Sequence, residues 1–114
     1  MQRSTSRRAI RMADQIMREL SRIIVEESQD PRLEMVSITG VRMNRDLSIA
    51  EVLYTHIKGR EYIPQLEKAF IHASGFFRTS LGKRLNMRRI PTIRFTWDEF
   101  LEEMVYDHID QPDN

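Results

Sequence analysis

The chain has 114 residues, which fits a single domain large enough to bury its own core. Hydrophobic residues make up 40% of it and charged residues 31%, and it has no cysteine, so the composition is globular and excludes a disulfide framework, a thiolate metal site and a cysteine nucleophile. No apolar run approaches the ~20 residues that cross a bilayer, and the Arg-rich start has no apolar signal segment, so we expect a cytoplasmic protein without a membrane partner.

The net charge of +1 hides a segregation of charge along the chain. The stretch from Lys68 to Trp97 contains seven basic residues and no acidic one, whereas residues 98–114 contain seven acidic residues and no basic one. The basic stretch is either a solvated surface or a surface for an anionic partner such as nucleic acid. The acidic segment, residues 98–114, is predicted to be partly helical or disordered.

Residues 1–6 are polar and predict a flexible start, with Ser4, Thr5 or Ser6 as the N-cap of a first helix. The apolar residues that follow recur every three or four positions, as on one face of a helix, and they are Ile10, Ala13, Ile16, Met17, Leu20, Ile23 and Ile24. A row of arginines lies on the opposite side, at Arg7, Arg11, Arg18 and Arg22. This row is either a phosphate-binding ridge or a set of weak surface ion pairs with Glu19 and Glu26.

Pro31 ends the first helix, because the residue before a proline is pushed out of the α region. Val36 and Ile38 then alternate as in a strand, and Val41 and Met43 alternate one residue out of phase. A phase slip at Gly40 is typical of a β-bulge. The turn residues 44–46 lead to a second strand over residues 47–57, so we predict an antiparallel hairpin whose second strand, with apolar residues on both faces, is central.

Helical spacing resumes at Ile63, and the small residues Ala73, Ser74 and Gly75 predict a break that divides this helix into two pieces. After a connector over residues 86–91, residues 92–97 alternate as a third strand. The order helix, strand, strand, helix, kink, helix, strand predicts an α+β fold with a mixed three-stranded sheet. The long connection between the second and third strands predicts that they run parallel, with the helices packed on one side.

Short motifs occur in the same order as these elements. They are Arg7, Arg11, Ile16 and Glu19, then Asp30-Pro31-Arg32-Leu33, Gly40-Val41-Arg42-Met43-Asn44-Arg45-Asp46-Leu47, Ala73-Ser74-Gly75-Phe76-Phe77-Arg78, Leu81-Gly82-Lys83-Arg84-Leu85 and Ile90-Pro91-Thr92-Ile93. Together they resemble the bacterial ribosome-binding factor A family. The resemblance covers residues 7–97 and implies a KH-like fold of the second type, in which an Ala-x-Gly kink at residues 73–75 replaces the usual Gly-x-x-Gly loop.

The resemblance also implies a function. A member of this family is expected to bind the small ribosomal subunit and its 16S rRNA near the 5′ end, and to assist late assembly and rRNA processing without catalysis. We expect a monomer with no cofactor and no small-molecule substrate. The alternative is a protein-interaction module that uses the long first helix and the acidic tail.

RNA binding requires cations for the phosphates, backbone amides near them and, optionally, a ring that stacks on a base. The predicted RNA-binding residues are Arg78, Lys83, Arg84, Arg88, Arg89, Arg7, Arg8 and Arg11. The predicted amides belong to the kink at Ala73, Ser74 and Gly75. Phe76 either stacks on a base or packs across the kink, and Arg84 and Arg88 have the alternative of capping a helix C-terminus.

Catalytic and metal sites are not indicated by the sequence. His56, His72 and His108 are far apart and lack the spacing of a metal site or a catalytic triad. Gly82-Lys83 lacks the upstream glycine of a phosphate-binding loop. We therefore expect no enzyme activity.

Overall fold

The computed structural model of the chain describes residues 1–101. It has two long helices, α1 (Arg7–Glu26) and α2 (Ile63–Leu85), and three strands, β1 (Val36–Met43), β2 (Ile49–His56) and β3 (Thr92–Trp97). Single turns of 3-10 helix at Pro31–Leu33 and Arg60–Tyr62 precede β1 and α2. Within residues 1–101, no helix is both long and apolar enough to span a membrane.

The three strands form one mixed sheet in the order β1-β2-β3. β1 and β2 are antiparallel, and β2 and β3 are parallel, with Ile49 opposite Thr92 and Tyr54 opposite Trp97. Both helices pack on one side of the sheet. The predicted α+β architecture, the hairpin, the central position of β2 and the parallel crossover are therefore confirmed.

The predicted β-bulge lies in β1, where the register with β2 shifts between Ile38 and Gly40. Ile38 is paired with Tyr54 and Val41 with Val52, so both of these β1 side chains face the helices although they are three residues apart. Thr39 is the extra residue, which leaves its hydroxyl to point away from the ladder.

The core lies between the sheet and the two helices. The Tyr54 ring forms edge contacts with Phe70 and Trp97, at centroid distances of 4.9 and 5.5 Å. The Phe70 and Phe95 rings stack at 3.8 Å. Burial raises the pKa of the Tyr54 hydroxyl to about 12. These aromatic contacts fix α2 against β2 and β3.

Helix α1 begins as predicted, because the Ser6 hydroxyl accepts a hydrogen bond of 3.1 Å from the Ala9 amide. Its buried face includes Ile16, Leu20 and Ile23, none of which is exposed to solvent. The prediction that Ile10 belongs to this face is wrong, since Ile10 is 60% exposed. The face begins at Ala9 instead, and Ile10 lies one residue outside it.

Helix α2 runs without a break from Ile63 to Leu85 through Ala73, Ser74 and Gly75. The predicted division into two helices is wrong. A glycine inside a helix costs only about 1 kcal/mol relative to alanine. The buried side chains of Ala73 and Phe77 hold the helix against the core on both sides of Gly75, so tertiary packing overrides this local preference.

The chain after β3 is held at its first residue. The Asp98 amide donates to the Tyr54 carbonyl at 2.8 Å, and the Asp98 carboxylate accepts from the Thr39 hydroxyl at 2.5 Å and from the Leu101 amide at 2.9 Å. Most of the predicted acidic segment, residues 102–114, lies outside the described residues.

Candidate nucleic-acid interface

Three parts of the chain meet at the end of the sheet where β2 and β3 begin. The residues before α1 reach the hairpin, because the Ser4 amide donates to the Met43 carbonyl at 2.8 Å. The connector between α2 and β3 reaches it as well, because the Thr92 amide donates to the Ser48 carbonyl at 2.8 Å. Leu85, the last residue of α2, packs against a small core cluster that joins α1 to the first half of β2. The start of α1, the hairpin turn and the connector that follows α2 therefore meet at this end of the sheet.

Most of the predicted RNA-binding residues lie at this end, which we call the basic end. Its members are Arg7, Arg8 and Arg11 on α1, Lys83 on α2, and Arg88 and Arg89 on the connector. All six side chains are exposed. Within residues 1–101 none of them takes part in an ion pair, and only the Lys83 charge acts on a carboxyl of the fold, that of Glu27, whose pKa it helps to lower. The arginine charges are therefore available to an outside anion.

Arg78 lies about two turns before the end of α2, on the rim of a groove between α2 and β3. The groove has a volume of about 420 Å³. Its floor is apolar and includes Phe70, Phe77 and Phe95, whose rings contact one another. Arg78 is exposed and forms no ion pair with any residue from 1 to 101. The groove thus combines an apolar floor with an unneutralised cation at its rim.

Arg84 differs from the other predicted cations. Its guanidinium contacts three carboxylates of the first helix and its C-cap, at 3.1 Å from Glu19, at 3.6 Å from Glu26 and in a short contact with Glu27. Its side chain is only 24% exposed. The hydrogen bond from Arg84 lowers the pKa of the Glu27 carboxyl, although partial burial opposes this effect. Arg84 therefore joins α2 to α1 within the fold, and neither predicted role, phosphate contact or helix capping, describes these contacts.

The predicted kink residues do not supply free backbone amides. They lie inside a continuous helix, where each amide bonds the carbonyl four residues earlier. A Cβ added at Gly75 would meet nothing within 4 Å, so no other segment of the described chain approaches this glycine closely. Phe76 is 40% exposed and does not pack across a kink.

The comparisons with known proteins agree with this fold. Residues 8–111 match the sequence profile of the family described as ribosome-binding factor A. The ribosome-binding factor A of Nitrosomonas europaea is 43% identical over 95 residues, which are 83% of this chain and 81% of the relative. The chain belongs to the ribosome-binding factor A family.

Other members of the ribosome-binding factor A family are similar in sequence and in structure. The protein from Alcanivorax borkumensis is 46% identical over 92 residues, covering 80% of this chain and 67% of the relative. The crystal structure of the Thermus thermophilus member has a TM-score of 0.67 and 26% identity, and the match covers 77% of this chain and 93% of that one. The likeness confirms the KH-like fold.

A second Thermus thermophilus structure is a homology model of ribosome-binding factor A fitted into a cryo-EM map of a 30S complex with that factor. It has a TM-score of 0.64 and 26% identity, and the match covers 76% of this chain and 91% of that one. That relative was therefore placed on a small ribosomal subunit.

Sequence reasoning missed three arginines of this family member that lie near the basic end. Arg45 and Arg94 line one surface depression together with residues of the hairpin turn, and Arg3 forms a β-bridge with Asn44. The predicted hairpin offered a signal for Arg45, since it lies in the turn. Nothing local predicts that Arg3 reaches that turn, because the contact joins residues 41 positions apart.

Proposed function

We propose that this chain is a non-catalytic assembly factor that binds the 16S rRNA of the small ribosomal subunit through the phosphates facing its basic end. One observation carries the proposal: Arg7, Arg8, Arg11, Lys83, Arg88 and Arg89 are exposed at one end of the fold without an ion pair in the described chain. A cluster of exposed cations without ion pairs in residues 1–101 gains most from a polyanion, because binding releases the counterions of the phosphates.

The binding mode follows from the chemistry of these side chains. Arginine presents a planar fork of donors that matches two phosphate oxygens at once, and lysine adds a point charge. Such contacts set position and orientation without reading sequence. Bound at the 5′ region of the 16S rRNA, the chain stabilises one arrangement of the RNA late in assembly, and processing follows from that arrangement without any turnover by the protein.

Arg78 extends the same surface along α2 to the groove beside β3. Arg84 is excluded from the proposed surface, because three carboxylates already surround its guanidinium. The RNA-binding residues that we propose are therefore the six residues of the basic end together with Arg78.

The alternative function, pairing of the first helix with another chain, conflicts with the packing of α1. Its apolar face is already covered, since Ile16, Leu20 and Ile23 are completely buried against the sheet and α2. Opening this face would expose core side chains at a cost of roughly 2 kcal/mol each.

The decisive experiment is a titration of a 16S rRNA fragment that contains the 5′ region, at several salt concentrations. The test variant replaces Arg78, Arg88 and Arg89 with Gln. The control replaces Arg18, Arg22 and Arg60 with Gln, which removes the same charge from exposed arginines that are ion-paired to Asp14, Glu19 and Glu99.

We expect the test variant to bind more weakly, and its log-log salt dependence to flatten by about one for each lost phosphate contact. The control variant should retain the wild-type slope. Equal losses in the two variants would show that only net charge matters, and an unchanged affinity in the test variant would exclude the basic end as the binding surface.

A further inference from the structure

A cleft lies on the side of α2 that faces away from the groove beside β3. It is an open space of about 540 Å³ between the middle of α2 and the segment that follows α1. Ala73 and the Phe76 ring supply its apolar part, and Gln29 and His72 stand at its edge. Phe76 is 40% exposed, so one side of its ring is open to solvent in this cleft.

The charged groups that line the cleft, Glu27, Asp30 and Arg32, each have an ion-pair partner within the fold. The Arg32 guanidinium donates to both carboxylate oxygens of Asp30, with Nε at 3.0 and 3.2 Å and Nη2 at 2.6 Å. Glu27 is held by Arg84. Because Arg32 is already bound by Asp30, the lining has no unpaired arginine or lysine for a phosphate, and the cleft suits an uncharged ring.

Two polar side chains at the edge of the cleft have hydrogen-bonding capacity to spare. Within residues 1–101, neither the Gln29 amide nor the His72 imidazole forms a hydrogen bond. An amide and an imidazole both donate and accept, and so match the mixed donors and acceptors on the edge of a nucleobase. An exposed phenylalanine ring offers the flat surface on which a base stacks.

The cleft is continuous with the basic end along one face of α2. His72, Phe76, Thr79 and Lys83 are spaced by four, three and four residues, so they form a single exposed stripe. Lys83 lies about 10 Å from Phe76 along the helix axis. A nucleotide chain whose phosphates contact the basic end can therefore place a base in the cleft.

We propose that this cleft binds one unstacked nucleobase of the RNA held at the basic end, with the base stacked on Phe76 and its edge bonded to Gln29 and His72. The proposal rests on the proposed function, which supplies the RNA. It adds a contact with a base to a surface that otherwise contacts phosphates. The cleft takes single-stranded RNA, because a paired base cannot turn its face to the ring.

The first test compares Phe76→Leu with wild type for binding of the 16S rRNA fragment. Leucine keeps an apolar side chain but removes the stacking face. We expect about tenfold weaker binding with an unchanged salt slope, because stacking releases no counterions. Phe76→Tyr should restore the affinity. The matched control is Phe100→Leu, an exposed ring outside the cleft, which should bind as wild type.

Wild-type affinity for Phe76→Leu would overturn the proposal and leave the phosphate surface untouched. A loss of binding to whole small subunits, with unchanged affinity for naked rRNA, would also overturn it, because it would assign the cleft to a protein side chain.

The second test does not depend on rRNA binding. Adenosine 5′-monophosphate is added to the isotopically labelled chain while the signals of Phe76, His72 and Gln29 are followed by NMR. In wild type we expect ring-current shifts at these three residues. In Phe76→Leu we expect no such shift at His72 or Gln29. Shifts confined to the basic end would overturn the cleft as a base site. If the wild-type chain fails to bind rRNA at all, the proposed function fails, and this titration still decides whether the cleft takes a base.

Discussion

The two ends of the molecule treat their arginines differently. At the end where β2 and β3 finish, Arg32 is bound by Asp30 and Arg60 by Glu99. Arg84, on the last turn of α2, is also paired, with carboxylates of α1 and its C-cap. At the basic end, the exposed arginines have no carboxylate partner in residues 1–101. Paired cations hold elements of the fold together, whereas unpaired cations cost stability through mutual repulsion and are useful only with a partner. The contrast separates arginines that are paired within the fold from those that we propose bind RNA.

The largest expected effect comes from reversing the charge of three exposed arginines that have no ion pair in residues 1–101, Arg78, Arg88 and Arg89. Replacing Arg78, Arg88 and Arg89 together with Glu should weaken binding of the 16S rRNA fragment on the order of a hundredfold at moderate salt. The thermal midpoint should change little, because these side chains hold no other element. Affinity measured by filter binding and the melting curve of the same sample together test the contrast.

A strong loss of stability in that variant would contradict the contrast between paired and unpaired arginines, since the three arginines would then also support the fold. Retained affinity would instead remove them from the interface.

Arg84→Gln should give the opposite pattern. The change removes the partner of three carboxylates on and after α1, so the helices lose their link and Glu19, with a 19% exposed side chain, loses its nearest cation. We expect a lower thermal midpoint and unchanged rRNA affinity. Arg88→Gln is the matched control, with an unchanged midpoint and weaker binding. If both variants lose affinity equally, the distinction between paired and unpaired arginines has no functional meaning.

His56, the last residue of β2, lies at the end of the sheet opposite the basic end and should make the stability of the fold sensitive to acid. Burial of the His56 ring, with a smaller contribution from the Lys58 charge, lowers its pKa below the usual value near 6.5. The unfolded chain therefore takes up a proton at a higher pH than the folded one, so the contribution of His56 to stability is complete above about pH 6.5 and is lost as the pH falls below it. Thermal midpoints should fall between about pH 7.5 and about pH 5.5.

His56→Gln should reduce this fall, and His72→Gln, which changes an exposed histidine, should not. Parallel curves for wild type and His56→Gln would show that carboxylates alone cause the acid sensitivity.

The smallest effect concerns α2, which connects the two ends. Gly75→Ala should raise the free energy of unfolding by about 0.5–1 kcal/mol, because the position is helical and a Cβ there meets nothing within 4 Å. Gly59→Ala is the control and should lower the free energy of unfolding, because the φ of Gly59 is +78°, a conformation that alanine rarely adopts. Denaturant unfolding measures both, and a destabilised Gly75→Ala with weaker rRNA binding would indicate that a bend at this position is needed.

The features that sequence predicted are those set by local chemistry. An N-cap among Ser4, Thr5 and Ser6 and the bulge at Gly40 each follow from a few neighbouring residues, and the structure contains both. The parallel β3 follows from the length of the connection that precedes it, and it is present as well. The features that it missed depend on distant contacts. Arg84 reads as one more cation in a basic stretch until α2 lies beside Glu19 and Glu27, 65 and 57 residues away.

The break at residues 73–75 failed for a related reason. Gly75, and to a lesser degree Ser74, lower helix propensity locally, but the buried Phe77 and Ala73 are held by residues of other elements, and that packing decides the outcome. The cleft beside Phe76 was equally hidden, since its second wall is the segment after α1, more than 40 residues earlier in the chain.

The bulge in β1 also decides where the chain leaves the sheet. Because Thr39 is the extra residue of the bulge, its hydroxyl is free to donate to the Asp98 carboxylate. The bulge in β1 thus fixes the residue that follows β3, 59 positions later in the chain. Asp98, the first residue of the acid-rich stretch, therefore lies beside the last residues of β2, at the end of the sheet opposite the basic end. Removing the bulge would break the hydrogen bond between Thr39 and Asp98 and so loosen the start of the acidic segment, although no charged residue had been altered.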